Sequence, residues 1–410
     1  MNRTVRALIN LVSDNDYLTR HKRYRTDFLR ARKLPASVVI WTILRLMKRS
    51  LALECIEVLW DNSTECSPTK QAFSQARYKW KHTGFIEMHD TTVGAMYDDP
   101  TFGLWRGYRV IGADGSSLRL PDTADVVEKF GYHKPNGTGG KMPPIGRVSL
   151  FIDLCLLGVV SARLDNWSRG EGSLAQEQLP AIVASLKQDN LLFVYDRGYT
   201  SIKFIKQHVE LGVDFLFRVS SGSYKKLWKR AVNGESDFED KILGVSVRVV
   251  SFILDTGERE LLITSVSQAK ASREDIGRLY THRWQLEECY KKFKVSMEIE
   301  NFSGNNLEAV LQDFWAHMVM MNIATEQINT EQEPLNPDRS PTHRINFSIF
   351  FGVMRGSLFR FINGEISARR LTRKLKTAMK TAKNKIRPGR SYSRAKMKIP
   401  KRHKVFFRTC

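Results

Sequence analysis

Apolar residues along the chain change their period twice. Through about residue 95 the spacing is helical: LPASVVIWTILRLMKRSLALECIEVLW repeats apolar positions every three or four residues, with Pro35 near its start. A further helix is predicted after Cys66, where Ser67-Pro68-Thr69 offers caps and KQAFSQARYKWK sets Lys70, Arg77 and Lys81 at offsets 0, 7 and 11, on one face. A solvated face and a face laid on nucleic acid explain that stripe equally well.

From Tyr108 the texture becomes that of strands. YRVIGADGSSLRL is followed by the Gly- and Pro-rich GYHKPNGTGGKMPPIG and then by RVSLFIDL and LGVVSARL, joined by a short turn. This predicts a three-stranded antiparallel start. LAQEQLPAIVASLKQ then reads as a helix, LLFVY as a compact strand ending at Asp196, SIKFIKQHVELG as a helix and DFLFRVS as a strand. The order β-β-β-α-β-α-β mixes antiparallel and parallel pairing with helices between the later strands, so the core is predicted to be α/β.

Residues 222–266 interrupt this order with the basic YKKLWKRA and short strands SVRVVSFILD and RELLITSV around a turn at Thr256-Gly257, a β-rich insertion. One long helix is predicted over residues 272–297, with acids in its first turn as the helix dipole favours. LEAVLQDFWAHMVMMNIATEQI is helical again. The chain therefore divides into a helical N-terminal region (1–95), an α/β core (96–221 and 267–330), the insertion (222–266) and a helical, basic C-terminal region (331–410), without internal repeats.

Composition adds a partner class. The 410 residues are 42% hydrophobic, enough to bury a core, and carry a net charge of +22, which favours a polyanionic partner. Residues 366–410 hold 17 Lys and Arg and no acid, so most of the excess sits in the tail. Such a run is solvated by default, yet at this density it binds phosphates without sequence preference, the reading preferred here. The best apolar span, residues 38–44, stops at Arg45, well short of the ~20 residues a bilayer needs. The opening MNRTVRALINLVSDND lacks a secretory pattern, so the chain is expected to stay inside the cell, with no membrane partner. Cys55, Cys66, Cys155, Cys289 and Cys410 are odd in number, scattered and without CxxC spacing, which argues against a disulfide framework and a zinc knuckle.

Three acids carry the candidate chemistry. Asp114 lies within VIGADGSSLRL, where strand alternation sets a carboxylate beside the core at a cost that something must compensate. Asp196 ends the strand in LLFVYDRGY, at the carboxyl edge where open α/β sheets bind ligands, although ordinary turn chemistry also accounts for a lone strand-end Asp. On the long helix Tyr280, Arg283, Glu287 and Lys294 fall at offsets 0, 3, 7 and 14, a narrow stripe at ~100° per residue from which Glu288 points about a quarter turn away. An exposed Arg283–Glu287 ion pair explains the stripe as well.

Together, an Asp in a strand, DRGY after a later strand and Y-x2-R-x3-E-x6-K on a helix resemble the DDE transposases of bacterial insertion sequence family 4. TKQAFSQAR resembles the N-terminal region of the same family, and the likeness runs over roughly residues 30–330. The resemblance implies an RNase H-like mixed-sheet core with the first Asp on the first strand, the second after the fourth and the Glu on a later helix, behind a β-rich insertion. It implies that Asp114, Asp196 and Glu287 are catalytic and hold two Mg2+ or Mn2+ ions, hard cations suited to oxygen ligands. The implied activity is cut-and-paste transposition: water nicks each transposon end, and the freed 3′ hydroxyl attacks the opposite strand or target DNA. Implied partners are double-stranded DNA, as terminal inverted repeats and target, and a second copy in a homodimeric synaptic complex in the bacterial cytoplasm, associated with the nucleoid. Tyr280, Arg283 and Lys294 would contact DNA near the scissile phosphate, and the Lys70, Arg77 and Lys81 stripe would bind DNA. Trp228, among Lys225, Lys226, Lys229 and Arg230, is the candidate platform for a flipped base, although a core position explains it as well. Two other readings stay open: an RNase H-like nuclease without strand transfer, and a domesticated copy that only binds DNA.

Overall fold

The computed structural model describes residues 3–30, 34–47, 50–58, 67–132, 143–186, 190–333, 335, 337–338 and 343–386. Cys66, Cys410, the middle of the Gly- and Pro-rich loop and the tail beyond residue 386 lie outside the described residues.

Helices α1 (Arg3–Ser13), α2 (Asn15–Arg20), α3 (Ala36–Arg45), α4 (Leu51–Val58), α5 (Lys70–Tyr78) and α6 (Thr83–Met96) come first. They are followed by β1 (Arg109–Arg119), α7 (Ala124–Phe130), β2 (Ile145–Asp153), β3 (Val159–Asn166), α8 (Glu171–Ser185), β4 (Leu191–Tyr195), a 3-10 turn at Arg197–Tyr199, α9 (Ile202–Glu210) and β5 (Asp214–Val219). The expected order recurs with α7 added. Its seven residues offer only Val126 and Phe130 as buried anchors, one turn apart, too short a repeat to read.

Next come α10 (Lys225–Val232), β6 (Asp237–Ile242), β7 (Val245–Ile253) and β8 (Arg259–Thr264). Among the described residues eight strands form one sheet, ordered β3-β2-β1-β4-β5-β8-β7-β6. β1 pairs antiparallel with β2 and parallel with β4, and β4 pairs parallel with β5. β5 pairs antiparallel with β8, so the strands of residues 222–266 prolong the main sheet. Their alternate residues Val247, Val249, Leu261 and Ile263 join Phe193, Phe215 and Phe217 in one apolar layer, which is why the extension stays in register with the core.

The predicted long helix is interrupted. α11 (Arg273–His282) and α12 (Trp284–Lys291) meet at Arg283, and a π-helical turn (Lys292–Ser296) follows. A capping box between Ser272 and Asp275 starts α11. Arg283 keeps right-handed dihedrals of φ −53° and ψ −27°, so the break is a local bend. No Pro or Gly marks it, and periodicity alone could not reveal it.

α13 (Leu307–Asn329) is buried on nearly every side, as expected of a helix without a polar face, and runs between the sheet and the N-terminal helices. Leu8, Tyr17, Ile40, Phe73 and Phe85 share one apolar cluster with Val110, Leu192, Leu286 and Met318. The N-terminal helices are thus built onto one face of the main sheet. β9 (His343–Ile345), α14 (Phe347–Ile362), α15 (Ala368–Thr381) and β10 (Lys383–Lys385) are the last elements of the described residues. α15 turns Leu371, Leu375 and Met379 inward and leaves Arg369, Arg370, Arg373, Lys376 and Lys380 exposed. No described helix is long and apolar enough to cross a membrane.

Candidate active site

The parallel register of β1 and β4 pairs Ala113 with Tyr195, so Asp114 and Asp196 occupy the next step on neighbouring strands. Side chains alternate along strands, and both carboxylates therefore project on the same face as Gly112 and Val194. α12 covers that face. A Cβ at Gly112 would lie 3.0 Å from Leu286, and the Tyr290 hydroxyl donates to the backbone carbonyl of Asp114 at 2.7 Å. β4 stops at Tyr195 while β1 continues to Arg119, which leaves a notch past the end of β4.

The notch strains its own charges. Burial pushes the Asp114 carboxyl up to about 6; the Gly115 N–H, donating at 2.9 Å, and Arg283 oppose that rise, and the carboxylates of Glu171 and Asp196 add to it. Asp196 accepts the Tyr280 hydroxyl at 3.1 Å, and Arg218 stands 3.9 Å away, its Nε 3.2 Å from Glu260. Burial also holds Glu260 above the usual carboxylate range. Arg283 is 6% exposed, lies close to both Asp196 and Asp114, and has a buried Nε without a protein acceptor. Such an unpaired donor is costly to bury and suits an incoming oxyanion. Tyr199, from the DRGY segment, has a buried hydroxyl that also lacks a partner and feels Asp114, Glu171 and Asp196.

Glu287 is half-buried, four residues after Arg283 and three before Tyr290, hence on the α12 face that meets β1. Glu288 is occupied elsewhere, by Lys291 and Arg344. Among the described residues, however, no three His, Cys, Asp or Glu side chains are gathered closely enough to hold a metal ion. Asp114 and Asp196 are adjacent, and Glu287 does not close the cluster with them. Two oxygen donors on one face of an open notch, beside a buried donor awaiting an anion, still fit a hard divalent cation bridging to phosphate.

Several DNA contacts expected from the sequence are corrected. Arg77 is buried, its guanidinium bonded to Gln312, Ser303, the Ala309 carbonyl and Asp313, so that it ties α5 to α13. Lys81 lies past the end of α5 and Lys70 is half-buried at its first turn, so the three residues form no exposed stripe. Tyr280 is 4% exposed and directs its hydroxyl at Asp196 rather than at a backbone phosphate. Trp228 packs on the apolar layer and donates its indole N–H to the Ser220 carbonyl at 2.9 Å, while Lys226 and Arg230 pair with Asp240. Lys294 is not overturned in this way: it is half-buried near Glu300 and Arg119, and burial lowers its ammonium below the usual range. Sequence reasoning passed over Glu171, Tyr199, Arg218 and Tyr290, which no periodicity marks. It also passed over Trp284, 55% exposed at the α11–α12 bend.

The profile of the family described as the Transposase DDE domain matches residues 105–323. Over 326 residues the chain is 22% identical to the transposase InsG for insertion sequence element IS4 of Escherichia coli (strain K12), covering 74% of this chain and 72% of that protein. In fold it resembles a piggyBac transposase solved as a synaptic complex with hairpin DNA, with a TM-score of 0.51 at 9% identity over 92% of this chain and 86% of that one.

Proposed function

Since the chain belongs to the transposase DDE family, and so catalyses DNA transposition by endonucleolytic cleavage and strand transfer, we propose that Asp114, Asp196 and Glu287 are its catalytic carboxylates, acting on double-stranded transposon ends. The observation that carries this assignment is the shared register step of Asp114 and Asp196 under the helix that bears Glu287. DDE transposases use divalent metal ions, and Mg2+ or Mn2+ suits these oxygen donors. A pair of such ions, when bound, supplies activation of the attacking oxygen and stabilisation of the leaving 3′ oxygen in an in-line displacement at phosphorus.

The remaining work falls to the chain. Tyr280 fixes one oxygen of Asp196, the Gly115 N–H orients Asp114, and Tyr290 clamps β1 to α12. Arg283 offers its unpaired Nε to a phosphate oxygen next to the reacting atoms. Glu287, on the α12 face that meets β1, would be the third carboxylate of the set. Lys294 lies by Arg119, five residues or ~17 Å along β1 from Asp114, and meets a phosphate farther along the duplex. The exposed bases of α15 add non-specific, salt-dependent DNA contacts that hold the protein on the bacterial nucleoid, and a homodimer pairs the two ends.

Supplying a pre-cleaved end duplex with a free 3′ hydroxyl, plasmid target and Mg2+ tests this reading. Joined products are expected. Cleavage of intact ends without joining would leave a nuclease, and binding with neither would leave a domesticated DNA-binding protein.

The base-stacking role passes from Trp228 to Trp284, the exposed aromatic beside Arg283. Trp284→Ala is expected to slow end cleavage about 10- to 100-fold, from the 1–3 kcal/mol a stacked base contributes, with little change in melting temperature. Trp228→Ala should instead lower the melting temperature. Parallel effects of the two substitutions on cleavage would reverse the reassignment.

A further inference from the structure

Glu171 opens α8, on the far side of β1 from α12, and its carboxyl lies over Gly115, the residue after Asp114. The glycine at position 115 makes room for it: a Cβ there would overlap the Glu171 carboxyl group. Arg147 of β2 holds Glu171 by an ion pair of 2.5 Å, and the same guanidinium lies 3.7 Å from the centroid of the Trp167 ring. Glu171 is close enough to Asp114 to oppose its ionisation. The Tyr199 hydroxyl, on a side chain only 3% exposed, projects among Glu171, Asp114 and Asp196 without a hydrogen-bond partner, and the buried Nε of Arg147 lacks one too.

A structural Arg147–Glu171 pair would account for the ion pair alone. It would not account for a buried phenol left unpaired among three carboxylates. A hydrated divalent cation does. Mg2+ retains several of its waters, and these need acceptors and donors just beyond the direct ligands. Glu171 would accept from such a water and Tyr199 would exchange hydrogen bonds with it. Because the contact runs through water, it agrees with the lack of a direct three-ligand cluster among the described residues.

We propose that Glu171 is a fourth carboxylate of the catalytic centre, a positioning residue that holds a water of the cation bound by Asp114, and that Arg147 keeps it in place when the cation is absent. This rests on the assignment of Asp114 and Asp196 as metal ligands. No covalent step is added.

The test uses full-length protein and Mn2+ alone, with affinity read by calorimetry or by the electron paramagnetic resonance of free Mn2+, and with the melting temperature of the metal-free protein measured alongside. Glu171→Gln preserves shape and can still accept from Arg147. Its Kd for Mn2+ is expected to rise about 10- to 100-fold, the usual cost of losing an outer-shell partner. Arg147→Gln breaks the same ion pair but spares the carboxylate, and should leave the Kd for Mn2+ unchanged or lower. Should Glu171→Gln fail to fold, Glu171→Asp, shorter by one methylene, is expected to weaken Mn2+ binding likewise. An unchanged Kd in the Glu171 variant, or equal weakening in both with equal loss of melting temperature, would overturn the proposal and leave a structural ion pair. Asp114→Asn separates the two levels: if it also binds Mn2+ normally, the site assignment itself fails, whereas if it alone weakens binding, only the role of Glu171 falls.

Discussion

Replacing Asp114 with Asn is expected to abolish end cleavage and, at neutral pH, to raise the melting temperature of the metal-free protein. The loss follows from removing a ligand oxygen from a site where charge stabilisation by metal is worth several kcal/mol; at 1.36 kcal/mol per factor of ten, cleavage falls about 10^3- to 10^4-fold. Asp196→Asn and Glu287→Gln should likewise abolish cleavage while DNA binding persists. Glu288→Gln should cleave normally, because Lys291 and Arg344 already occupy that carboxylate. A dead Glu288 variant with an active Glu287 variant would mean that α12 presents its other face. The gain in stability follows from the sign of the Asp114 shift. Its folded-state value of about 6 lies above the unfolded 3.8, so the folded protein binds the proton more tightly and loses stability as pH rises between those values. Above pH 6 the full penalty remains, at most about 2 kcal/mol since the notch admits some water. Asn carries no such penalty. Thermal melts without metal should therefore show Asp114→Asn more stable than the parent at pH 7.5 and level with it near pH 4. In the parent, cleavage at limiting metal should fall about tenfold per pH unit below 6, as protons compete for the carboxylate. A variant less stable than the parent at pH 7.5 would show that burial is not what governs Asp114.

Such an inverse relation between stability and activity explains why part of the site could be read from the sequence. Asp114 and Asp196 each stand where an apolar strand is broken by a charge, and the resemblance set them on the first and fourth strands, which the sheet makes neighbours. Helical spacing put Glu287 on the face of Arg283, although nothing in YTHRWQLEECYKKFK marks the bend at Arg283 that turns Trp284 outward. Periodicity was least reliable where it assigned a charged stripe to solvent. Offsets identify which residues share a face, and only packing decides whether that face is covered. Arg77 met Gln312 and Asp313 of α13, some 235 residues away in sequence, and became a buried tie. Trp228 met the apolar layer beneath α10 in the same way. Glu171 and Tyr199 come from segments without any period, and they become visible only once β1 places Gly115 against one and the DRGY turn folds the other inward.

Arg283 separates charge from geometry in this site. Only 6% exposed, it is the cation that both Asp114 and Asp196 face, and its Nε has no protein acceptor. If it serves only as a counter-ion, Arg283→Lys should be nearly silent, since the charge is retained. If its planar fork donates to the scissile phosphate, Lys cannot replace it, because an ammonium is a point charge without the paired donors. We expect the second outcome: Arg283→Lys should reduce the cleavage rate about 10^2- to 10^3-fold, the range for losing one donor aimed at developing charge, with a melting temperature close to that of the parent. Arg283→Ala should lose as much activity and also destabilise the fold at neutral pH, because two neighbouring carboxylates would then lack their shared cation. The salt dependence of end binding adds a second readout. Removing one phosphate contact should lower its slope by about one in the Ala variant and less in the Lys variant, which keeps a charge at the same place. Cleavage by Arg283→Lys at the parental rate would reduce Arg283 to a counter-ion, and the orientation of the phosphate would then have to come from Arg218, the other guanidinium beside Asp196.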